Sequence, residues 1–368
     1  MLRIARLLPA LMGAGLLVAC GGGGGGGSDS SGTVPVGGGP SSVDTRNDPA
    51  LRTTQAELDD ALHCTPFANP DKPPVLLIHG TTVTGTEQYT AFYTPQLVSL
   101  GFDVCIVTYP DRGLIDQQIS AEYVVNALRR IYNETGRKVA MIGHSQGASM
   151  PRWALRFFPS TRQAVADFVL IAGPNHGTTV SLPAAIAEQL LDVLGLASLP
   201  VGLVPEALYQ FAPGSDFVAA VNSEDETPGA VDYTSLYTLF DELVQPAAPT
   251  PTAALDFGQD NPRVSNILLQ DVCPGHLAEH FSIGTTDTLA FALALDAISN
   301  PGPADVTRAG GSSQLCGLLP VNLAELTMPQ RAADLLTIVA STVGNGLPDP
   351  HLANAEPPLM DYAQDAAD

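Results

Sequence analysis

Short runs that are apolar on both strand faces recur along the chain, separated by longer stretches whose apolar residues fall at helical spacing. The first run, Val75-Leu76-Leu77-Ile78-His79, lies between Pro74 and Gly80, and others occupy 104–108, 139–142, 168–171 and 266–269. Four or five apolar residues bounded by turn formers predict a strand buried on both faces. Helix-like patterns fill 116–132, 146–158, 286–298 and 329–343. Strands of this kind alternating with helices predict a mostly parallel, doubly wound α/β sheet with helices on both faces. No internal repeat at solenoid spacing is visible.

Two regions break the rhythm. Residues 181–221 are almost continuously apolar, as in Leu190-Leu191-Asp192-Val193-Leu194-Gly195-Leu196. They read either as a further pair of core helices or as a small apolar cap over a lipid-like substrate. The N-terminus has Arg3 and Arg6 before an apolar run that ends in Leu17-Val18-Ala19-Cys20. That is the layout of an export signal, too short for a membrane span, and its end resembles a bacterial lipobox in which Cys20 would be lipidated. Residues 21–27 are all glycine and a Gly/Ser/Pro bias follows. A flexible tether over 21–50 is expected, holding a catalytic domain of 51–368 near a membrane surface through the lipidated end.

Composition changes this picture in two places. The formal net charge is −22, with 16 Lys+Arg against 38 Asp+Glu, so nucleic acid is an unsuitable partner. Setting Cys20 aside leaves Cys64, Cys105, Cys273 and Cys316. An even number in an exported chain predicts two disulfides, with three connectivities open, and no C-x-x-C spacing points to a metal or redox site.

The chemistry centres on Gly143-His144-Ser145-Gln146-Gly147, a G-x-S-x-G string with a strand pattern before it and a helix pattern after it. A sharp strand-to-helix turn would hold Ser145 in a strained conformation with its hydroxyl exposed, and larger residues at 143 or 147 would collide across the turn. A serine needs a base to take its proton and an acid to orient that base, in the chain order Ser, Asp or Glu, His. That order removes His63 and His79. His144 is expected to turn away and pack, and His176 to shape a pocket wall. His280, in the loop before the helix near 286, is the preferred base; His276 is its competitor, and His351 lies in a Pro-rich tail. The acid candidates are Asp216, Asp225, Asp232, Asp241 and Asp256; Asp241 follows 236–240, an apolar stretch that predicts a buried strand. Oxyanion donors are expected from the Gln146 backbone N–H and from the loop Gly80-Thr81-Thr82, where the Thr81 hydroxyl could add a third bond.

Several segments together resemble the family of Candida antarctica lipase B and its bacterial relatives. They are PVLLIHGT at 74–81, LGFDVC at 100–105, Ser145-Gln146-Gly147, Phe157-Phe158-Pro159-Ser160 and LYTLFDELVQP at 236–246, with Val272-Cys273 and the Cys316 region. The resemblance spans about residues 64–320 and implies an α/β-hydrolase fold and a triacylglycerol lipase or esterase that needs no cofactor and no metal. It places the nucleophile on Ser145, the oxyanion donors on Gln146 and Thr81, the acid on Asp241 and the base on His280. It also implies Cys64–Cys105 and Cys273–Cys316 bridges. The chain departs from the family in having Gly143-His144 before the serine, a shorter stretch from Cys273 to His280, no counterpart of one disulfide, and a poor match over 181–221. A polyester depolymerase, a transacylase on the same site, or a surface binding protein on an inactive scaffold are the competing readings.

Overall fold

The computed structural model describes residues 42–180, 204–317 and 351–367, all within the compact unit Pro40–Asp368. Cys20, most of the expected tether, residues 181–203 of the expected cap and the expected helix at 329–343 lie outside the described residues. The strands are β1 (Leu62–Cys64), β2 (Val75–Ile78), β3 (Val104–Val107), β4 (Val139–His144), β5 (Val165–Ile171), β6 (Val204–Pro205), β7 (Asp232–Tyr237), β8 (Val264–Leu268) and β9 (Leu352–Ala353). Seven form one sheet in the order β1-β3-β2-β4-β5-β7-β8, parallel throughout except for β1 against β3.

The period-two geometry of a strand explains why the runs carry apolar residues on both faces. Leu76, Ile78, Met141, Phe168 and Leu170 face one core; Val75, Leu77, Ile142, Val169 and Ile171 face the other. Helices α1 (Gln117–Thr135) and α2 (Gln146–Phe157) cover the first face with Val124, Leu128 and Trp153. Asp116 caps α1, accepting a hydrogen bond from the Gln118 N–H at 2.9 Å, and Gly136 at φ 66° ends it. Helix α3 (Glu206–Tyr209) and helix α4 (Asp216–Val221) follow β6. Beyond β8 come the single turn α5 (His280–Ile283) and helix α6 (Thr288–Ser299), whose Leu289 and Leu293 close the second face.

Three expectations need correction. The tether does not run to residue 50, because Val43 is buried in the core and the Asp48 carboxylate pairs with Arg129 and accepts the Ser160 N–H at 2.9 Å. The cap does not extend to 221 either. Phe217 stacks on Trp153 with ring centroids 4.7 Å apart, and α4 belongs to the main core. The strand expected at 236–240 is β7, which begins at Asp232 and ends at Tyr237; Leu239 and Phe240 beyond it are exposed.

The disulfides are Cys64–Cys105 and Cys273–Cys316. The first joins residues directly opposite each other on β1 and β3. The second fastens the start of the segment that leads to α5. They close loops with separations of 41 and 43 residues. In chain-entropy terms each is worth about 4 kcal/mol, which a two-state thermal or denaturant melt of Cys64→Ser/Cys105→Ser should read as a lost increment of stability. A pair variant as stable as the parent would contradict that role.

Candidate active site

Ser145 sits between β4 and α2 at φ 56°, ψ −123°, a conformation non-glycine residues rarely adopt, and its N–H donates to the Ile171 carbonyl of β5 at 2.9 Å. The turn closes so tightly that a Cβ on Gly143 would lie 2.0 Å from the Gly147 oxygen. A Cβ on Gly147 would lie 2.1 Å from the oxygen of Ile78 on β2. Both glycines of the motif are therefore required by backbone contact, and the serine side chain is lifted to the carboxyl end of the sheet.

His280 begins α5. Its Nε2 accepts the Ser145 Oγ–H at 2.9 Å, and its Nδ1–H donates to the Asp241 carboxylate, 2.9 Å from Oδ2 and 3.0 Å from Oδ1. A carboxylate only accepts, which assigns the ring proton to Nδ1 and leaves Nε2 free to take the serine proton. Glu279 caps α5, accepting from the Phe281 and Ser282 N–H groups at 2.7 Å, and the His280 N–H donates to Glu242 at 3.1 Å. Asp241 is fixed in turn by the N–H groups of Leu243 and Val244, at 2.9 and 2.7 Å. A bridge between Phe240 and Glu279 holds the two loops side by side. Burial pulls the His280 pKa down, but the charge and hydrogen bond of Asp241, aided by Glu242 and Glu279, outweigh it, so the net shift is upward.

The loop after β2 faces Ser145 across the cleft. It is pinned on both sides of Thr81: the Gly80 N–H donates to Gln88 at 2.8 Å, and the Thr82 N–H to the Arg112 carbonyl at 2.7 Å. Arg112 reaches back to the Thr82 carbonyl at 3.1 Å and pairs with Glu87 at 2.9 Å. The Gln146 side chain donates to the Gly113 carbonyl at 2.7 Å, and its backbone N–H, at the first position of α2, has no acceptor within the helix. Thr81 and Ser145 line one cleft whose apolar walls are Val83, Pro174, Leu208, Phe211, Leu243, Val244 and Phe281. Leu208 and Phe211 come from the described part of 181–221, so that region contributes a wall even though its end joins the core.

The other candidates are engaged elsewhere. His276 bonds Asp287 at 2.6 Å, and that hydrogen bond raises its pKa against partial burial. Asp287 also caps α6 through the Ala290 N–H at 2.8 Å. Asp216 lies in the first turn of α4, Asp225 accepts from the Thr227 N–H, Asp232 pairs with Arg263, and Asp256 bonds Thr227 and Asn261. His351 pairs with Asp111. His176 does not line the Ser145 cleft as expected; it faces Glu226 at 2.8 Å in a separate cavity with Gln245 and Phe257. His79 is stacked on Tyr109 and held at a pKa of about 4 by burial. Among the described residues no three His, Cys, Asp or Glu side chains converge as a metal set.

Sequence reasoning missed three supports. Gln88 and Arg112 hold the Thr81 loop, and nothing in their local pattern marks them. His144 does turn from Ser145, but its Nε2–H donates to the backbone carbonyl of His280 at 2.8 Å rather than merely filling space. Its position beside the serine was the available signal.

A family model described as Lipase (class 2) matches residues 72–256. Lipase B of Pseudozyma antarctica is 30% identical over 328 residues, which is 86% of this chain and 87% of that protein. The crystal structure of Aspergillus fumigatus lipase B superposes with a TM-score of 0.74 at 29% identity, covering 89% of this chain and 76% of the other. The chain therefore belongs to the class 2 lipase family, ester-hydrolysing enzymes built here on an α/β-hydrolase fold.

Proposed function

We propose that this enzyme cleaves carboxylic esters of lipids through an acyl-enzyme on Ser145, with His280 as general base and Asp241 orienting it. The observation that carries the proposal is the unbroken chain of hydrogen bonds from Ser145 Oγ through His280 to Asp241 at the floor of an apolar cleft. As Oγ attacks the ester carbonyl, His280 Nε2 takes its proton and Asp241 stabilises the imidazolium. The backbone N–H groups of Gln146 and Thr81, with the Thr81 hydroxyl, receive the charge that develops on the carbonyl oxygen. His280 then returns the proton to the departing alcohol. Water enters, gives a proton to His280 and attacks the acyl group, and collapse frees the acid as His280 returns that proton to the departing Ser145 Oγ. Every step is a proton transfer or acyl transfer that these side chains supply.

Rapid mixing with an activated ester tests this reading. A burst of alcohol product equal to the enzyme concentration, followed by slower turnover, is expected; added alcohol should divert the acyl group to a new ester. Linear release without a burst, together with no acyl group on the quenched protein, would contradict it.

The raised His280 pKa fixes a direction with pH. The base must be neutral, so kcat/KM should rise with pH along an acid limb whose midpoint lies above the ordinary histidine value of 6.5. A limb centred well below that value would oppose the assignment. We also propose that Cys20 carries the lipid, bringing the enzyme to a membrane surface after export. The mass of the N-terminal peptide from cells of origin tests it: a diacylglyceryl adduct on Cys20 is expected, and a free thiol at residue 20 would refute it.

A further inference from the structure

His144 precedes the nucleophile, is buried, and has no part in the proton relay just described. Its ring lies 4.9 Å from the His280 ring, and its Nε2 is 2.8 Å from the His280 carbonyl oxygen. A carbonyl at the head of a helix ordinarily accepts the amide four residues on. Here the Gly284 amide is given to the Phe281 and Ser282 carbonyls, and His280 receives a side-chain donor instead.

We propose that His144 is a positioning residue for the general base: by holding the His280 carbonyl it fixes the reach of His280 Nε2 to Ser145 Oγ. This rests on the triad reading above. The ring is clamped by two stretches of backbone that lack side chains. A Cβ on Gly284 would lie 2.0 Å from His144 Cδ2, and one on Gly80, at the foot of the Thr81 loop, 3.3 Å from Nδ1. The same ring therefore touches the segments that deliver the base and the oxyanion loop. Its tautomer is fixed, because a carbonyl can only accept, and its buried Nδ1 has no hydrogen-bond partner among the described residues. Burial, then the neighbouring His280, keeps its pKa down at about 3. The ring thus stays neutral while His280 gains and loses a proton, and no second cation opposes that gain.

The test is steady-state kinetics of the full chain on a soluble short-chain nitrophenyl ester. His144→Phe, which keeps the ring volume and removes the donor, should lower kcat about 10–100-fold with KM within about twofold, the size expected for a base misplaced by a fraction of an ångström to an ångström. His144→Gln, whose amide nitrogen reaches as far as imidazole Nε2, should recover most of the loss. Gly284→Ala keeps the donor but pushes the ring, and should reproduce the kcat loss. A folded His144→Phe enzyme with unchanged kcat, or a glutamine variant no better than the phenylalanine one, overturns the proposal. If His144→Phe does not fold, Gly284→Ala decides alone, and wild-type kcat there overturns it. Ser145→Ala and His280→Ala run beside these keep the two readings apart: full turnover in either would remove the triad reading itself.

Discussion

Ser145→Ala is expected to lower kcat for ester hydrolysis on the order of 10⁶-fold and to leave the fold unchanged. The magnitude follows from nucleophile and base acting as one unit, so that losing either forfeits nearly all of their joint contribution. A residual rate of roughly 10³–10⁴ over water should survive from the oxyanion donors and the cleft. The fold is spared because the Ser145 N–H to Ile171 bond and both close glycine approaches are backbone features that alanine retains. Circular dichroism and a thermal melt, run beside the kinetics, separate lost chemistry from lost structure. Near wild-type turnover in the purified variant would remove Ser145 as nucleophile.

His280→Ala should lose activity on the same scale, whereas His276→Ala should keep most of it. Among the described residues, only His280 reaches Ser145 Oγ, at 2.9 Å, while presenting its other nitrogen to Asp241. His276 is committed to Asp287 at 2.6 Å, so its removal should show in the melt, through the cap of α6, more than in kcat. Asp241→Asn should cost about 10⁴-fold, because an amide no longer imposes the tautomer with its proton on Nδ1. Parallel kcat measurements on the three variants check this. A reversed ranking of the two histidine variants would move the base to His276 while the nucleophile and fold stood.

What was legible in the chain divides by the range of the interaction that fixes it. The strands 75–78, 104–107 and 139–144 were readable because burial on both faces leaves no polar position within them before His144, the last residue of the third. The tight turn that carries Ser145 was readable because the collision limit at Gly143 acts across the turn, against Gly147, whereas the limit at Gly147 is set from a distance by Ile78 of β2. The run Leu236-Tyr237-Thr238-Leu239-Phe240 misled, since its apolar character outlasts the sheet: Leu239 and Phe240 are exposed beside the acid loop. Apolar content alone cannot mark where pairing stops. The tether boundary was misjudged for the converse reason, because Asp48 looks like linker until Arg129 meets it from 81 residues away. His176 lies near the end of a strand but is drawn to Glu226, and His144 finds its acceptor 136 residues on. Local pattern carries no trace of such partners. Of the two candidate bases, His276 is occupied by Asp287, a contact that local pattern does not show either.

The central claim, an activated nucleophile at residue 145, is tested most directly by labelling the native enzyme with a fluorophosphonate and mapping the adduct by mass spectrometry. One equivalent should attach to Ser145 with loss of fluoride, and His280→Ala should label far more slowly because the serine then lacks its base. Absence of labelling on the folded, ester-hydrolysing enzyme, or an adduct on a residue other than Ser145, would contradict it.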